Sequence, residues 1–315
     1  MFWWDSTSNV EAFGQWLGKP VEVASTFLAW QAGWSRWEND TARLSTWSQW
    51  EKAKAGREVM FAVAPFPKDG VSNLDACVAG QYDARHKTLA NNLASYGLLS
   101  AYLRIGWEMN GDWYPWGTKS NGKEAVFAAC FRRMVTTMRA AQPTNKWKFV
   151  WNPTNNVSLT RLNNLWPGDS YVDVVGIDAY DQAWITNGYP YPSTCDAACR
   201  LTRQQNVWNW MVGTLNTIRS FAGVHGKPLA FPEWGVWHHT HGHAGEDNPY
   251  FIQKMHEFIF DPANNVVFHS YLNTRPKDGK YDCLLTDSSG SDLPGPTRLP
   301  KSAGRFKELF GLGSQ

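Results

Sequence analysis

A chain of 315 residues, 43% hydrophobic and 18% charged, can bury a sizeable core as one large α/β domain or two small ones. Thirty basic residues against 28 acidic ones leave a formal net charge of +2, which excludes a strong field for nucleic acid or anionic membrane. No stretch approaches the roughly 20 apolar residues of a membrane-spanning helix, while the 19 tryptophans exceed what a core ordinarily uses.

In chain order, eight short apolar runs read as buried strands: Phe2–Trp4, Val21–Leu28, Val59–Ala64, Leu99–Ile105, Trp147–Trp151, Val172–Ile177, Pro228–Phe231 and Val266–Tyr271. Helical spacing recurs between and after them, over Asp83–Tyr96, Glu124–Ala141, Arg200–Phe221, Pro249–Phe260 and Lys301–Phe310. Strand and helix alternate without a Pro/Gly/Ser linker, which predicts an α/β fold, a single (β/α)8 TIM barrel over residues 1–315. A doubly wound open sheet is the alternative, but no GxGxxG or GxxxxGK follows any strand.

Met1 runs directly into Phe2-Trp3-Trp4-Asp5 with no basic and apolar leader, so a secreted protein is expected to have lost its signal peptide already. Cys195 and Cys199, in CDAAC, lie close enough to bridge across one turn, which suits an exported chain. Cys77, Cys130 and Cys283 have no telling spacing, and the tight CxxC pairs of structural zinc are missing.

In a barrel the chemistry gathers at the C-terminal strand ends. Those ends read RIGWEMNGDWYPW after the fourth run, FVWNPTNN at the fifth, VDVVGIDAYD at the sixth, PLAFPEWGVW at the seventh and FHSYLN at the eighth. Glu108 and Glu233 end the fourth and seventh runs, which face each other across a closed mouth. Two carboxylates flanking a substrate are what glycosidic cleavage requires, one protonating the leaving oxygen and the other attacking or activating water. Glu108, among Trp107, Trp113 and Trp116, is pushed toward its protonated form and suits the general acid. Glu233 must stay ionised, and Tyr180 and Arg104 are placed to donate hydrogen bonds to it. Asp178 is expected to orient Arg104 or to accept a hydrogen bond from another neighbour.

Aromatic faces suit the apolar C–H faces of sugars, so Trp30, Trp34 and Trp37 after the second run, Trp113 and Trp116, Trp184, Trp234 and Trp237 are candidates for the cleft. About half of them are expected only to pack loops on the rim. Trp208 and Trp210 fall in a helical stretch and are expected to pack. The cluster HHTHGH at 238–243 lacks a metal-ligand spacing such as HExxH, and His238 is read instead as a contact for sugar hydroxyls. No GxSxG elbow supports acyl transfer.

Taken together, RIGWEMNGDWYPW, VWNPTNN, VDVVGIDAYD and FPEWG resemble glycoside hydrolase family 26, best known for endo-β-mannanases, within a clan of (β/α)8 retaining enzymes with glutamates on strands 4 and 7. The resemblance runs from about Val21 to Asn273. It implies Glu108 as acid/base, Glu233 as nucleophile and Tyr180 as the nucleophile's hydrogen-bond partner. Arg104 matches an arginine often carried on strand 4, and Asn110, Asp112, Trp113 and Trp116 fall in the loop that builds the sugar-binding floor. Family mannanases usually carry His before the acid; Trp107 stands there instead.

The expected activity is therefore a retaining, endo-acting hydrolase of a β-linked polysaccharide, β-mannan first, with carboxyl groups about 5–5.5 Å apart and no cofactor. Xylan, β-glucan or a bacterial exopolysaccharide are alternatives distinguished by the placement of groups such as Asn110, Asn152 and His238. A non-catalytic carbohydrate-binding barrel and a metal-dependent hydrolase using the histidines rank lower. The ligand expected is a polysaccharide or oligosaccharide, the chain a monomer, with no nucleic acid, membrane or obligate partner.

Overall fold

The computed structural model describes residues 6–286 and 295–312, so the expected first strand, Phe2–Trp4, lies outside the described residues. The other seven runs form one parallel sheet in sequence order, β1 (Val23–Phe27), β2 (Glu58–Val63), β3 (Tyr102–Ile105), β4 (Lys148–Trp151), β5 (Val174–Tyr180), β6 (Leu229–Gly235) and β8 (Val266–Tyr271). A two-residue antiparallel ribbon, β7 (His238–His239) with β9 (Tyr281–Asp282), follows β6 at the mouth. The edges of the sheet approach each other, and Ser25 Oγ on β1 donates to Ser270 Oγ on β8 at 3.1 Å in a buried contact. The sheet thus curls into a nearly closed TIM-type barrel.

Ten α-helices surround it among the described residues: α1 (Thr7–Leu17), α2 (Gly33–Glu38), α3 (Thr41–Lys52), α4 (Leu74–Val78), α5 (Asp83–Ser95), α6 (Glu124–Ala141), α7 (Leu159–Leu165), α8 (Ala197–Val224), α9 (Pro249–Phe260) and α10 (Pro300–Phe310). The five expected from periodicity correspond to α5, α6, α8, α9 and α10. On α6 the buried positions Phe127, Phe131, Met134, Val135 and Met138 follow the three-and-four spacing of one helical face. Cys130 on that face bridges to Cys77 on α4, with Cα atoms 5.4 Å apart, a pairing the spacing did not suggest. The expected Cys195–Cys199 bridge is present at the start of α8, and Cys283 is free and buried.

The barrel interior explains where the site lies. Met60, Tyr102, Val150, Val174, Ala230 and Phe268, one from each of six strands, form an apolar layer with Val23 packed against it. Side chains two residues further along a strand return to the same face. Arg104 follows Tyr102 in this way, Asn152 follows Val150, and Gly176 and Asp178 follow Val174, so polar groups replace apolar ones toward the mouth. Gly176 is required: a Cβ there would lie 2.7 Å from Asn152 Oδ1 and 2.8 Å from the Pro232 ring.

Candidate active site

Arg104 is the hub. Its Nε donates to Asn152 Oδ1 at 2.7 Å, its Nη1 to Glu233 Oε1 at 2.5 Å, and its Nη2 to Asp178 Oδ2. Asp178 and Glu233 stand opposite each other in the β5–β6 register, so one guanidinium reaches both. Burial works against the Arg104 charge, but Asp178 and Glu233 more than offset it and hold the group protonated. The second oxygen of Glu233 accepts from Tyr180 OH at 2.6 Å, so both oxygens of this carboxylate receive donors. Burial pushes the Asp178 carboxyl up, opposed by the guanidinium it contacts.

Glu108 is presented differently. After β3 the chain turns at Gly106 (φ 55°) and again at Glu108 itself (φ 54°), a left-handed conformation that a non-glycine residue adopts at a cost. The turn is pinned by Glu108 N donating to Asn152 O at 2.8 Å and Gly111 N donating to Glu108 O at 2.9 Å. Trp113 folds back over Gly111, where a Cβ would come within 2.4 Å of the indole, and its Nε1 donates to Glu108 Oε2 at 2.5 Å. Burial, then the Glu233 charge, pushes the Glu108 carboxyl up to about 7, against the pull of Arg104 and the Trp113 hydrogen bond. The mouth therefore holds one carboxyl that keeps its proton to neutrality and, beside it, one braced by two donors.

Both line a cleft of about 680 Å³, and so do Trp30, Trp107, Asn110, Trp113, Asp178, Tyr180, Trp184 and Trp237 among the residues read from the sequence. Trp237 stacks on Tyr180, with centroids 4.6 Å apart, and the Trp107 ring packs edge-on against Phe27 and Trp116. Arg104 and Asn152 sit beneath the floor, buried, and act on the cleft through Glu233 and Asp178.

Several candidates lie elsewhere. Trp234 follows Glu233 on a strand and points to the opposite face, buried against Phe306 and Phe310 of α10. Trp116 is buried and donates to Trp107 O at 2.8 Å. Trp34 packs on Trp37 and Tyr82 and donates to Ser72 Oγ at 3.2 Å, and Trp37 is itself buried. Asp112 is exposed and accepts from Ser120 N at 3.0 Å. His238 pairs with Asp282 in the ribbon and does not line the cleft. The rest of the histidine cluster is built as rim: the rings of His239 and His241 stack at 3.6 Å, and His243 stacks on Trp184 at 5.2 Å.

Other cleft residues were not anticipated. Trp208 is buried, as expected of its helix, but Trp210 one face over lines the cleft. Tyr114, Lys119, Asn155, Asn156, Gln182 and Tyr281 line it too. Asn155 and Asn156 were within reach, since they end the run FVWNPTNN just past β4. Tyr281 arrives through the ribbon, which no local pattern announces.

A barrel with two unlike glutamates in one aromatic cleft is an arrangement suited to glycosidic cleavage. Residues 82–206, which include Glu108 and Tyr180 but stop short of Glu233, match the model of glycosyl hydrolase family 26. The chain is 30% identical over 196 residues to Endoglucanase H of Acetivibrio thermocellus, covering 57% of this chain and 19% of that protein. It is 33% identical over 88 residues to mannan endo-1,4-beta-mannosidase of Bacillus subtilis, 26% of this chain and 24% of that one. It thus spans about a fifth to a quarter of the length of these curated relatives. Among solved structures, the catalytic domain of a family 26 endo-beta-1,4-mannanase from Bacillus sp. JAMB-750 superposes with a TM-score of 0.64 at 16% identity, over 98% of this chain and 85% of that one. An endo-beta-1,4-mannanase of Cellulomonas fimi gives 0.61 at 18%, over 92% and 64%. At these identities the structural likeness speaks for the fold alone. The family match over residues 82–206 and the curated relatives add a likeness in sequence over part of the chain.

Proposed function

We propose that the chain is a retaining, endo-acting β-glycanase, with β-mannan as its first substrate. The observation that supports this most directly is the contrast between the two glutamates: Glu233 braced by Arg104 and Tyr180, Glu108 pushed up to about 7. In the first step Glu233 attacks the anomeric carbon and forms a glycosyl ester as the glycosidic C–O bond breaks. Glu108 delivers its proton to the departing oxygen. In the second, a water adds to the anomeric carbon while Glu108, now a carboxylate, takes its proton, and Glu233 leaves as a carboxylate. Tyr180 and Arg104 each donate to one oxygen of Glu233, and Asp178 and Asn152 fix the guanidinium in place.

Aromatic groups around the cleft favour a bound stretch of polymer over a single terminal sugar. Similarity to Endoglucanase H gives β-glucan as the second reading. Two disulfides suit an oxidising compartment, and among the described residues no helix is long and apolar enough to cross a membrane. We read the chain as exported, as one catalytic barrel acting as a monomer.

The test is release of reducing ends from β-mannan, xylan, mixed-linkage β-glucan and bacterial exopolysaccharides, followed by proton NMR of the first anomer formed. Activity on one polymer with a retained β-anomer is expected. An α-anomer would remove the glycosyl-enzyme, and silence across the panel would remove the catalytic reading.

A further inference from the structure

The cleft has two unlike arcs. The loops after β5 and β6 bring Gln182, Trp184 and Trp237, and β9, beyond β8, brings Tyr281, an aromatic surface suited to neutral sugar faces. The loops after β3 and β4 bring, besides Trp107, Trp113 and Tyr114, the polar groups of Asn110, Lys119, Thr154, Asn155, Asn156 and Arg161, amides, a hydroxyl and two cations. The acids lining the cleft are Glu108, Asp178 and Glu233 on its floor, and of these Glu108 alone comes from the β3 and β4 loops.

The two cations are not equivalent. Arg161 is spent on the protein: Nε donates to Glu124 Oε1 at 3.1 Å, Nη1 to Asn110 O at 3.0 Å and Nη2 to Thr118 Oγ1 at 3.1 Å. Lys119 is exposed, and among the described residues its ammonium has no acceptor. The acids flanking Lys119 in the chain have other partners, Glu108 with the Trp113 indole, Asp112 with the Ser120 amide and Glu124, at the start of α6, with Arg161. Asn110 is also committed, donating to Thr154 Oγ1 at 2.8 Å and accepting from Thr154 N at 2.9 Å. The Asn155 and Asn156 side-chain amides have no partner among the described residues. What the arc offers a ligand is thus an uncompensated ammonium and amide N–H donors lining one cleft, whose charge a carboxylate compensates and a neutral hydroxyl does not.

We infer that this arc is a subsite for a sugar unit bearing a carboxylate, with Lys119 as its specificity-determining residue, so that the substrate is an acidic or acid-substituted β-glycan. The inference rests on the glycoside hydrolase reading for its polymer, not for its test. Binding is measured by calorimetry on the Glu233→Gln variant, which leaves Lys119 in place. The probes are mannohexaose and cellohexaose, the same sugars oxidised at their primary hydroxyls to uronates, and their 6-sulfated forms. The oxidised sugars are expected to bind roughly three- to fivefold more tightly than the neutral ones at low ionic strength, the gain of a partly exposed ion pair. That ratio should fall to about one in Glu233→Gln/Lys119→Gln, and fade in the parent variant by about 0.5 M NaCl. Equal affinity for neutral and oxidised sugars, no binding of the oxidised ones, or a preference that survives Lys119→Gln overturns the inference. Preference for sulfated over oxidised sugars overturns the carboxylate assignment. Failure of the parent to release reducing ends from any polymer would instead sink the hydrolase reading, so the two fail separately.

Discussion

Glu108 and Glu233 are the same side chain at the ends of β3 and β6, yet the barrel treats them in opposite ways. Glu233 lies within β6, just past a shift in the pairing register, opposite Asp178, and takes one donor on each oxygen. Glu108 stands on a turn with positive φ, takes one indole donor, and is pushed up to about 7. The lesson is that backbone placement decides which donors a glutamate can reach. A strand carries its carboxylate inward to a guanidinium already waiting in the layer below, whereas a strained turn holds its carboxyl apart, among aromatic rings.

Removing either residue is the hardest blow to this contrast. Glu233→Ala is expected to lower kcat on the polymer on the order of 10⁴-fold or more, since it deletes the atom that forms the covalent bond. Glu108→Ala should cost about 10²- to 10⁴-fold on the polymer and much less on an aryl glycoside whose leaving group needs no proton. Kinetics of both variants on both substrates check the division of labour; if Glu108→Ala were hit equally on the two, Glu108 would not be the proton donor.

Next in size is the brace on Glu233. Tyr180→Phe removes the 2.6 Å donor while keeping the ring that stacks on Trp237. A hydrogen bond to a charged group contributes about 1.5–3 kcal/mol, so kcat/KM should fall roughly 10- to 150-fold. An unchanged rate would mean Arg104 alone holds the carboxylate.

A smaller effect separates the two glutamates by pH. With Glu108 pushed up to about 7, the acid form is lost as pH rises through that value, so kcat/KM should decline on the alkaline side of about 7. The Trp113 hydrogen bond favours the ionised form, so Trp113→Phe should move this alkaline limb upward while retaining an aromatic face. A limb that stays put or moves down in pH–rate profiles would show that Trp113 does not tune Glu108.

How much of this was legible in the sequence depends on distance along the chain. The seven described strands and the longer helices follow from local periodicity, and the glutamates from their place at strand ends. Short helices such as α2 and α4 carry too few apolar positions to show a period, and α3 scatters its tryptophans among polar residues. Trp234 was misplaced because the alternation rule was not applied past Glu233, a signal that was present. Trp210 and Tyr281 reach the cleft from α8 and from the ribbon, and the Cys77–Cys130 bridge joins residues 53 apart. Such meetings are settled by tertiary packing, which single-sequence patterns do not encode.

The smallest effect concerns a third carboxyl, and it sharpens the comparison because no catalytic need explains it. Asp181 follows Tyr180, is buried, and accepts from Tyr189 OH at 2.8 Å and Asn248 Nδ2 at 2.7 Å. Gly245 lies so close that a Cβ there would fall on Asp181 Oδ2, so the carboxyl ties the loop after β5 to the loop before α9. Among the described residues no cation pairs with it, and burial pushes it up to about 7, offset in part by the two hydrogen bonds. A raised folded value means the folded state holds a proton that the unfolded chain releases above 3.8. Its stabilisation is therefore complete below that value and lost progressively as pH rises to about 7. Asp181→Asn cannot titrate, and its amide hydrogens face the Asn248 donor. It should cost on the order of 1–3 kcal/mol near pH 5 and less near pH 8, where the parent carboxylate is itself penalised. Urea unfolding of both proteins at the two pH values decides it: a gap of constant size would show that Asp181 is ionised throughout rather than raised like Glu108.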